Sequence, residues 1–150
     1  MAINYAPKVG EVLECNFGDY LLDPETNEAD RNNFHGKVPP EMRKHRMVVV
    51  MNGKLGGSCV VVPISSSKDQ GLISRGLHIP LDTGHFRVTD FYDRRDRWAK
   101  VETMQHVSKA RLFKMRDRNG RFDQHLPFEV VEEIQKAIVR LVAGSKLLAK

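Results

Sequence analysis

The chain has 150 residues, 41% of them hydrophobic and 29% charged, with a net charge of +5. That length and balance fit one globular domain with a real core and exclude a disordered chain. Cys15 and Cys59 are too few for a disulfide framework and sit in apolar strand patterns, so both read as buried free thiols, while the basic balance suits a polyanionic partner without identifying one.

In chain order, residues 1–9 read as a loose arm and residues 10–18 as a first strand. Its better apolar face is Leu13, Cys15 and Phe17, with Val12 blurring the alternation. Residues 19–44 form a long polar connection punctuated by Asp23-Pro24, Asn32-Asn33, Gly36 and Pro39-Pro40, either a functional lid or a floppy insertion. Residues 45–67 are the most telling stretch. Val48, Val49 and Val50, then Val60, Val61, Val62 and Ile64, are β-branched runs that suit two buried strands. Asn52-Gly53 and Gly56-Gly57 are expected to supply the positive φ angles of the return. Arg46 enters the first strand and Ser65, Ser66 and Ser67 leave the second, so an antiparallel pair brings these polar ends together. A guanidinium beside a row of hydroxyls suits a phosphate. The plainer reading is a solvated strand end and a loop.

Residues 68–71 read as a turn and residues 76–81 as a short strand with Leu77, Ile79 and Leu81 on one face. Residues 82–97 are charged, with Phe86, Phe91 and Tyr92 interspersed. Such a loop either grips single-stranded RNA or packs its aromatics onto the body. Residues 98–106 alternate as one strand that puts Trp98, Lys100, Glu102, Met104 and His106 on a common face. Lys100 and Glu102 are then neighbours, either in a functional role or as an exposed ion pair of little energetic worth. A further short strand is expected around Leu112 and Phe113, followed by a charged turn over residues 116–121 hinged on Asn119-Gly120. From Pro127 onward, Val130, Val131, Ile134, Ala137, Ile138, Leu141 and Val142 recur at helical spacing. Gly144 suits a helix stop, and residues 145–150 form a tail. The scattered His35, His78, His85 and His125 form no zinc pattern and read as surface or locally bonded histidines. There is no phosphate-binding glycine loop, so neither a metal site nor a cofactor is expected. The first residues lack an apolar signal core and no run is long enough to span a bilayer, so a soluble cytoplasmic protein of one domain over residues 1–150 is expected.

Many strands followed by one amphipathic helix predict a mainly β (α+β) fold, a small barrel-like sheet with a C-terminal helix packed on it. Four separated motifs then occur in one order. They are Gly10-Glu11-Val12-Leu13; residues 39–50, Pro-Pro-Glu-Met-Arg-Lys-His-Arg-Met-Val-Val-Val; residues 61–66, Val-Val-Pro-Ile-Ser-Ser; and residues 98–103, Trp-Ala-Lys-Val-Glu-Thr. With these the chain resembles the PemK/MazF family of type II toxin–antitoxin toxins. The resemblance implies an SH3-like or CcdB/PemK-type barrel, usually a homodimer, with metal-independent, sequence-selective endoribonuclease activity. The family's reactive arginine falls on Arg46, its loop glutamate on Glu41 and its hydroxyl, usually threonine, on Ser65. A basic–apolar–acidic triplet falls on Lys100, Val101 and Glu102. The chain departs from the pattern at Met47, where proline is usual, at Glu102 in place of aspartate, at Gln105-His106 in place of an Arg-Thr pair, and at Pro40, where some relatives carry histidine.

The reaction implied by the resemblance is attack of the ribose 2′-hydroxyl on its own phosphate, leaving 2′,3′-cyclic phosphate and 5′-hydroxyl ends. Arg46 then stabilises phosphoryl charge with help from Ser65. Glu102 is the first candidate for the base, with Glu41 or His45 behind it, and Lys100 or His106 is the candidate acid. Glu41, His45, Ser66, Gln105 and His106 are candidate RNA-binding residues. The implied partners are messenger RNA and a cognate antitoxin protein. The alternative is a non-catalytic binding protein on the same barrel, whether a gyrase inhibitor in the manner of CcdB or a nucleic-acid-binding module.

Overall fold

The β-branched runs form the centre of the molecule. In the computed structural model, which describes residues 1–149, they are β4 (His45–Asn52) and β5 (Ser58–Ser65), paired antiparallel with Val49 opposite Val62 and Met47 opposite Ile64. The remaining elements are β1 (Val12–Asn16), β2 (Leu21–Leu22), β3 (Ala29–Asp30), α1 (Gln70–Ser74), β6 (His78–Leu81), β7 (Arg97–Lys100), β8 (Gln105–Ser108), β9 (Leu112–Asp117), β10 (Gly120–Phe122) and α2 (Phe128–Leu141). The main sheet runs β10-β9-β1-β4-β5-β7-β6, and β8 also pairs with β5, beyond the end of β7. The path does not close, so the expected barrel is present as a barrel-like sheet with open edges at β10 and β6. No helix among the described residues is long and apolar enough to cross a membrane.

Both faces of the central strands are buried, by different means. Val12, Met47, Val49, Val62 and Ile64 point to one face, where Val131, Ile134 and Ala137 of α2 cover them. The alternate residues, Leu13, Cys15, Val48, Val50, Cys59 and Val61, point to the other face and meet Phe17, Val107 and Leu112, with Ile3 and Met42 packed at the margin. The blurred alternation of the first strand has its cause here, because β1 contributes Val12 to one core and Leu13 and Cys15 to the other. Both cysteines are buried free thiols.

The chain before β1 lies along the body. The Ile3 amide donates to the Leu112 carbonyl, and Pro7 is buried against Gly53. A Cβ at Gly53 would stand 2.0 Å from the Pro7 carbonyl oxygen. Of the four turn residues expected to adopt positive φ, only Gly56 does so (+74°); Gly53 is required by close approach instead. The connection 19–44 holds the small hairpin β2–β3, tied back by Arg43, which donates to Asp19 and lies 4.5 Å over the Tyr20 ring. The turn expected at residues 68–71 opens α1, with the Asp69 side chain accepting from the Leu72 amide as its cap. After α2, Val142 caps the helix and Ala143 takes φ +57°. Residues 145–149 form a short 3₁₀ turn, and Lys150, the last residue of the expected tail, lies outside the described residues.

Candidate functional site

The last paired residues of the β4–β5 ladder are Met47 and Ile64. The next residue of each strand, Arg46 and Ser65, therefore sits beside the other at the ladder's open end, and both line one groove of about 510 Å³. His45, Ser66, Ser67, Tyr92, Arg97 and Lys100 also line it. Arg46 is exposed, and no carboxylate among the described residues lies within 4 Å of its guanidinium. The Ser65 hydroxyl oxygen accepts from the Ser67 amide at 3.1 Å, which leaves its O–H free to donate.

The two acids of the groove are already neutralised. Asp90 is held by both ends of the Arg118 guanidinium, at 2.9 and 3.1 Å. Asp93 is gripped by Arg95, which holds its carboxyl below the usual carboxylate range, and lies 3.6 Å from Arg97. Arg97 is buried against the Phe86 ring and donates to the Asp93 carbonyl at 3.0 Å. Burial lowers its pKa and the nearby Asp93 charge opposes that. Arg46 and Lys100 are thus the groove's two cations with no carboxylate within 4 Å among the described residues. An anion arriving here meets charge that is not already spent on the protein.

A second pocket of about 530 Å³ adjoins the groove, and Met42 and Lys100 line both. It holds Glu41, Glu102, His78, Thr103 and Gln105. The expected single strand over residues 98–106 does not form. β7 ends at Lys100, residues 101–103 make a 3₁₀ turn, and β8 begins at Gln105. The Thr103 hydroxyl donates to the Lys100 carbonyl at 2.7 Å and the Val101 amide to the Leu77 carbonyl, which fixes the break. Lys100 and Glu102 consequently share a pocket without sharing a strand face, and they form no ion pair. The partner of Glu102 is His78, whose Nε2 lies 2.7 Å from each carboxylate oxygen. His78 is 1% exposed and its Nδ1 has no hydrogen-bond partner among the described residues.

Glu41 is exposed, and its Oε1 accepts from the Val38 amide at 2.8 Å, closing its own loop beside Glu102. Gln105 lines the same pocket and donates to the Thr103 carbonyl. His106 is not brought to either cavity. It pairs with Val60 in the β5–β8 ladder and its Nε2 lies 2.7 Å from Ser58 Oγ, at the far end of β5 from Ser65. At ~3.3 Å per residue that end is about 23 Å away. The break at residues 101–103 is the reason, since an uninterrupted strand would have kept His106 in line with Lys100. The sequence reading missed His78, which needed a contact 24 positions away to be seen, and Arg97, whose signal was present in the basic, aromatic run before it. No group of three His, Cys, Asp or Glu among the described residues is arranged to hold a metal ion.

Comparison with known proteins follows the same lines. The family model described as "PemK-like, MazF-like toxin of type II toxin-antitoxin system" matches residues 8–142. A putative uncharacterized protein of Escherichia coli, YifN, is 42% identical over 149 residues, 99% of each chain. An uncharacterized protein of Haemophilus influenzae is 42% identical over 146 residues, covering 97% of this chain and 96% of that one. Among solved structures, MazF (Form-I) from Deinococcus radiodurans superposes with a TM-score of 0.57 at 13% identity, covering 93% of this chain and 99% of that chain. The Mycobacterium tuberculosis toxin MazF-mt6 superposes at 0.50 with 16% identity, covering 69% and 91%. At these identities the structural likeness speaks for the fold alone.

Proposed function

Because the chain belongs to the PemK-like, MazF-like toxins of type II toxin–antitoxin systems, we propose that it is an endoribonuclease that cleaves single-stranded RNA without a metal. The observation that supports this most is the pairing of an uncommitted Arg46 with the Ser65 hydroxyl in a groove whose acids are otherwise neutralised. The scissile phosphate lies between them. Arg46 donates to the phosphoryl oxygens as negative charge builds in the transition state, and Ser65 O–H adds a second donor. Glu102 takes the proton of the 2′-hydroxyl, whose oxygen bonds to phosphorus. Lys100, which lines both cavities, gives a proton to the departing 5′-oxygen. The products are a 2′,3′-cyclic phosphate and a 5′-hydroxyl end. The need for a 2′-hydroxyl makes RNA, not DNA, the substrate. His45, Ser66, Glu41 and Gln105 line the path of the flanking nucleotides, whereas His106 has no part in it.

The physiological setting is neutralisation by a cognate antitoxin protein, action on messenger RNA in the cytoplasm, and a homodimeric toxin. A light-scattering series over concentration tests the dimer; a mass of one chain throughout removes it. The nuclease itself is tested by incubating the protein with long mixed-sequence RNA in excess EDTA beside Arg46→Ala. Cuts at a short recurring sequence, with cyclic-phosphate and 5′-hydroxyl ends that vanish in the variant, are expected. A second reading, a binding module on the same barrel, draws on the engagement of both Glu102 oxygens by His78. RNA retention without cutting by the folded chain would establish it in place of the first.

A further inference from the structure

His78 is buried, polar and inside the pocket that holds the proposed base, yet the reaction as written leaves it idle. It opens β6 opposite Lys100 of β7, so two adjacent strands present the histidine and the lysine side by side. Its Nε2 is equidistant from the two Glu102 oxygens, at 2.7 Å. Its Nδ1 has no hydrogen-bond partner among the described residues. A proton on Nδ1 would be a buried donor with nothing to receive it, which is costly, whereas a proton on Nε2 is shared by two carboxylate oxygens. The geometry therefore places a proton on Nε2, where it is shared with the carboxylate.

That donor matters because little else restrains the carboxylate. Glu102 rides on a three-residue 3₁₀ turn, half-buried, and among the described residues its oxygens have no hydrogen-bond partner but His78. Glutamate has one more rotatable bond than aspartate and would otherwise sweep the pocket. A proton acceptor in general base catalysis must be held within hydrogen-bond reach of the proton it takes, and a displacement of about 1 Å can cost on the order of 10² in rate. A bifurcated N–H from a ring that is itself locked by burial aims the lone pairs not used by His78 outward, toward the cavity shared with Lys100.

We infer that His78 is a positioning residue for Glu102, its Nε2–H clamping both carboxylate oxygens so that the carboxylate meets the RNA 2′-hydroxyl. The inference rests on the nuclease reading above.

Two variants separate positioning from mere filling of space. Glutamine places its amide nitrogen where Nε2 sits, and asparagine places its own nearer Nδ1. His78→Gln is expected to stay within several-fold of the native kcat, and His78→Asn to lose about 10² in kcat with KM unchanged. Equal kcat in the two variants, or a loss confined to KM, overturns the inference while leaving the nuclease intact. A native chain that cuts no RNA overturns the nuclease reading and this inference with it. A second measurement stands independently of how the His78 variants fold. A long-range proton–nitrogen NMR spectrum is expected to show His78 protonated at Nε2, with that signal moving in Glu102→Gln. A ring protonated at Nδ1, or a signal indifferent to Glu102→Gln, overturns the clamp.

Discussion

Arg121 Nη1 donates to Oε1 of Glu14 at 2.5 Å, across from β10 to the middle of β1. Arg116 Nε takes the other oxygen at 3.0 Å, so a buried carboxylate is closed by two partly exposed guanidinium groups. The two sides of this cluster are unequal. Removing both arginines strands a buried charge, at a cost of about 3–5 kcal/mol. Removing the glutamate leaves two cations that water can reach. Arg116→Ala/Arg121→Ala is therefore expected to lower the urea midpoint more than Glu14→Ala at unchanged slope. The reverse order would mean that the carboxylate finds solvent when the arginines go.

Arg46 stands in the opposite situation, exposed and with no carboxylate within 4 Å among the described residues. Its replacement by alanine is expected to leave the melting temperature unchanged and to lower the RNA cleavage rate by about 10²–10³. Arg46→Lys keeps the charge but not the planar fork and is expected to recover only part of the rate. A parallel loss of stability in thermal melts would show that the arginine serves the fold instead.

The thiols carry a pH dependence. Burial pushes Cys15 up to about 12, and burial together with the neighbouring Glu11 raises Tyr5 as well. A folded-state pKa above that of the unfolded chain means that the native state keeps protons the unfolded state has released. The contribution to stability is whole below about pH 8.5 and is lost as pH rises through the folded value, with a slope of up to about 1.4 kcal/mol per pH unit for each proton. Urea midpoints are expected to fall between pH 8.5 and 11, less steeply in Cys15→Ala. Both native thiols should resist alkylation at pH 8 and react on unfolding.

Gly53 and Gly57 lie in the same return and predict different outcomes. A Cβ on Gly53 would collide with the Pro7 backbone, which has no rotamer to escape into, whereas one on Gly57 meets nothing within 4 Å. Gly53→Ala is expected to destabilise by more than about 1 kcal/mol and to increase proteolysis of the first nine residues; Gly57→Ala should be near neutral.

The hairpin and the position of Arg46 beside Ser65 were legible because they rest on local pattern, namely β-branched runs, a glycine return and polar residues at the strand ends. The helix stripe at Val131, Ile134 and Ala137 was legible for the same reason. Residues 98–106 misled because alternation records which residues are polar and not whether the strand is continuous. Thr103 closing on the Lys100 carbonyl is invisible in that record, and it moves His106 away from the groove. His78 was hidden more deeply. Its role depends on β6 lying next to β7, and nothing within the residues around it states that neighbour.

Met42 packs at the margin of the core around Val48 and Val50 while also lining the groove and the adjoining pocket. One side chain thus answers to two selective demands. A substitution that improves packing there reshapes both cavities at once, and one that reshapes the cavities disturbs the packing of that core. Pro40, in the neighbouring loop, is exposed and lines only the adjoining pocket. Divergence in what such chains recognise is expected to accumulate around Met42 before it reaches Met42 itself.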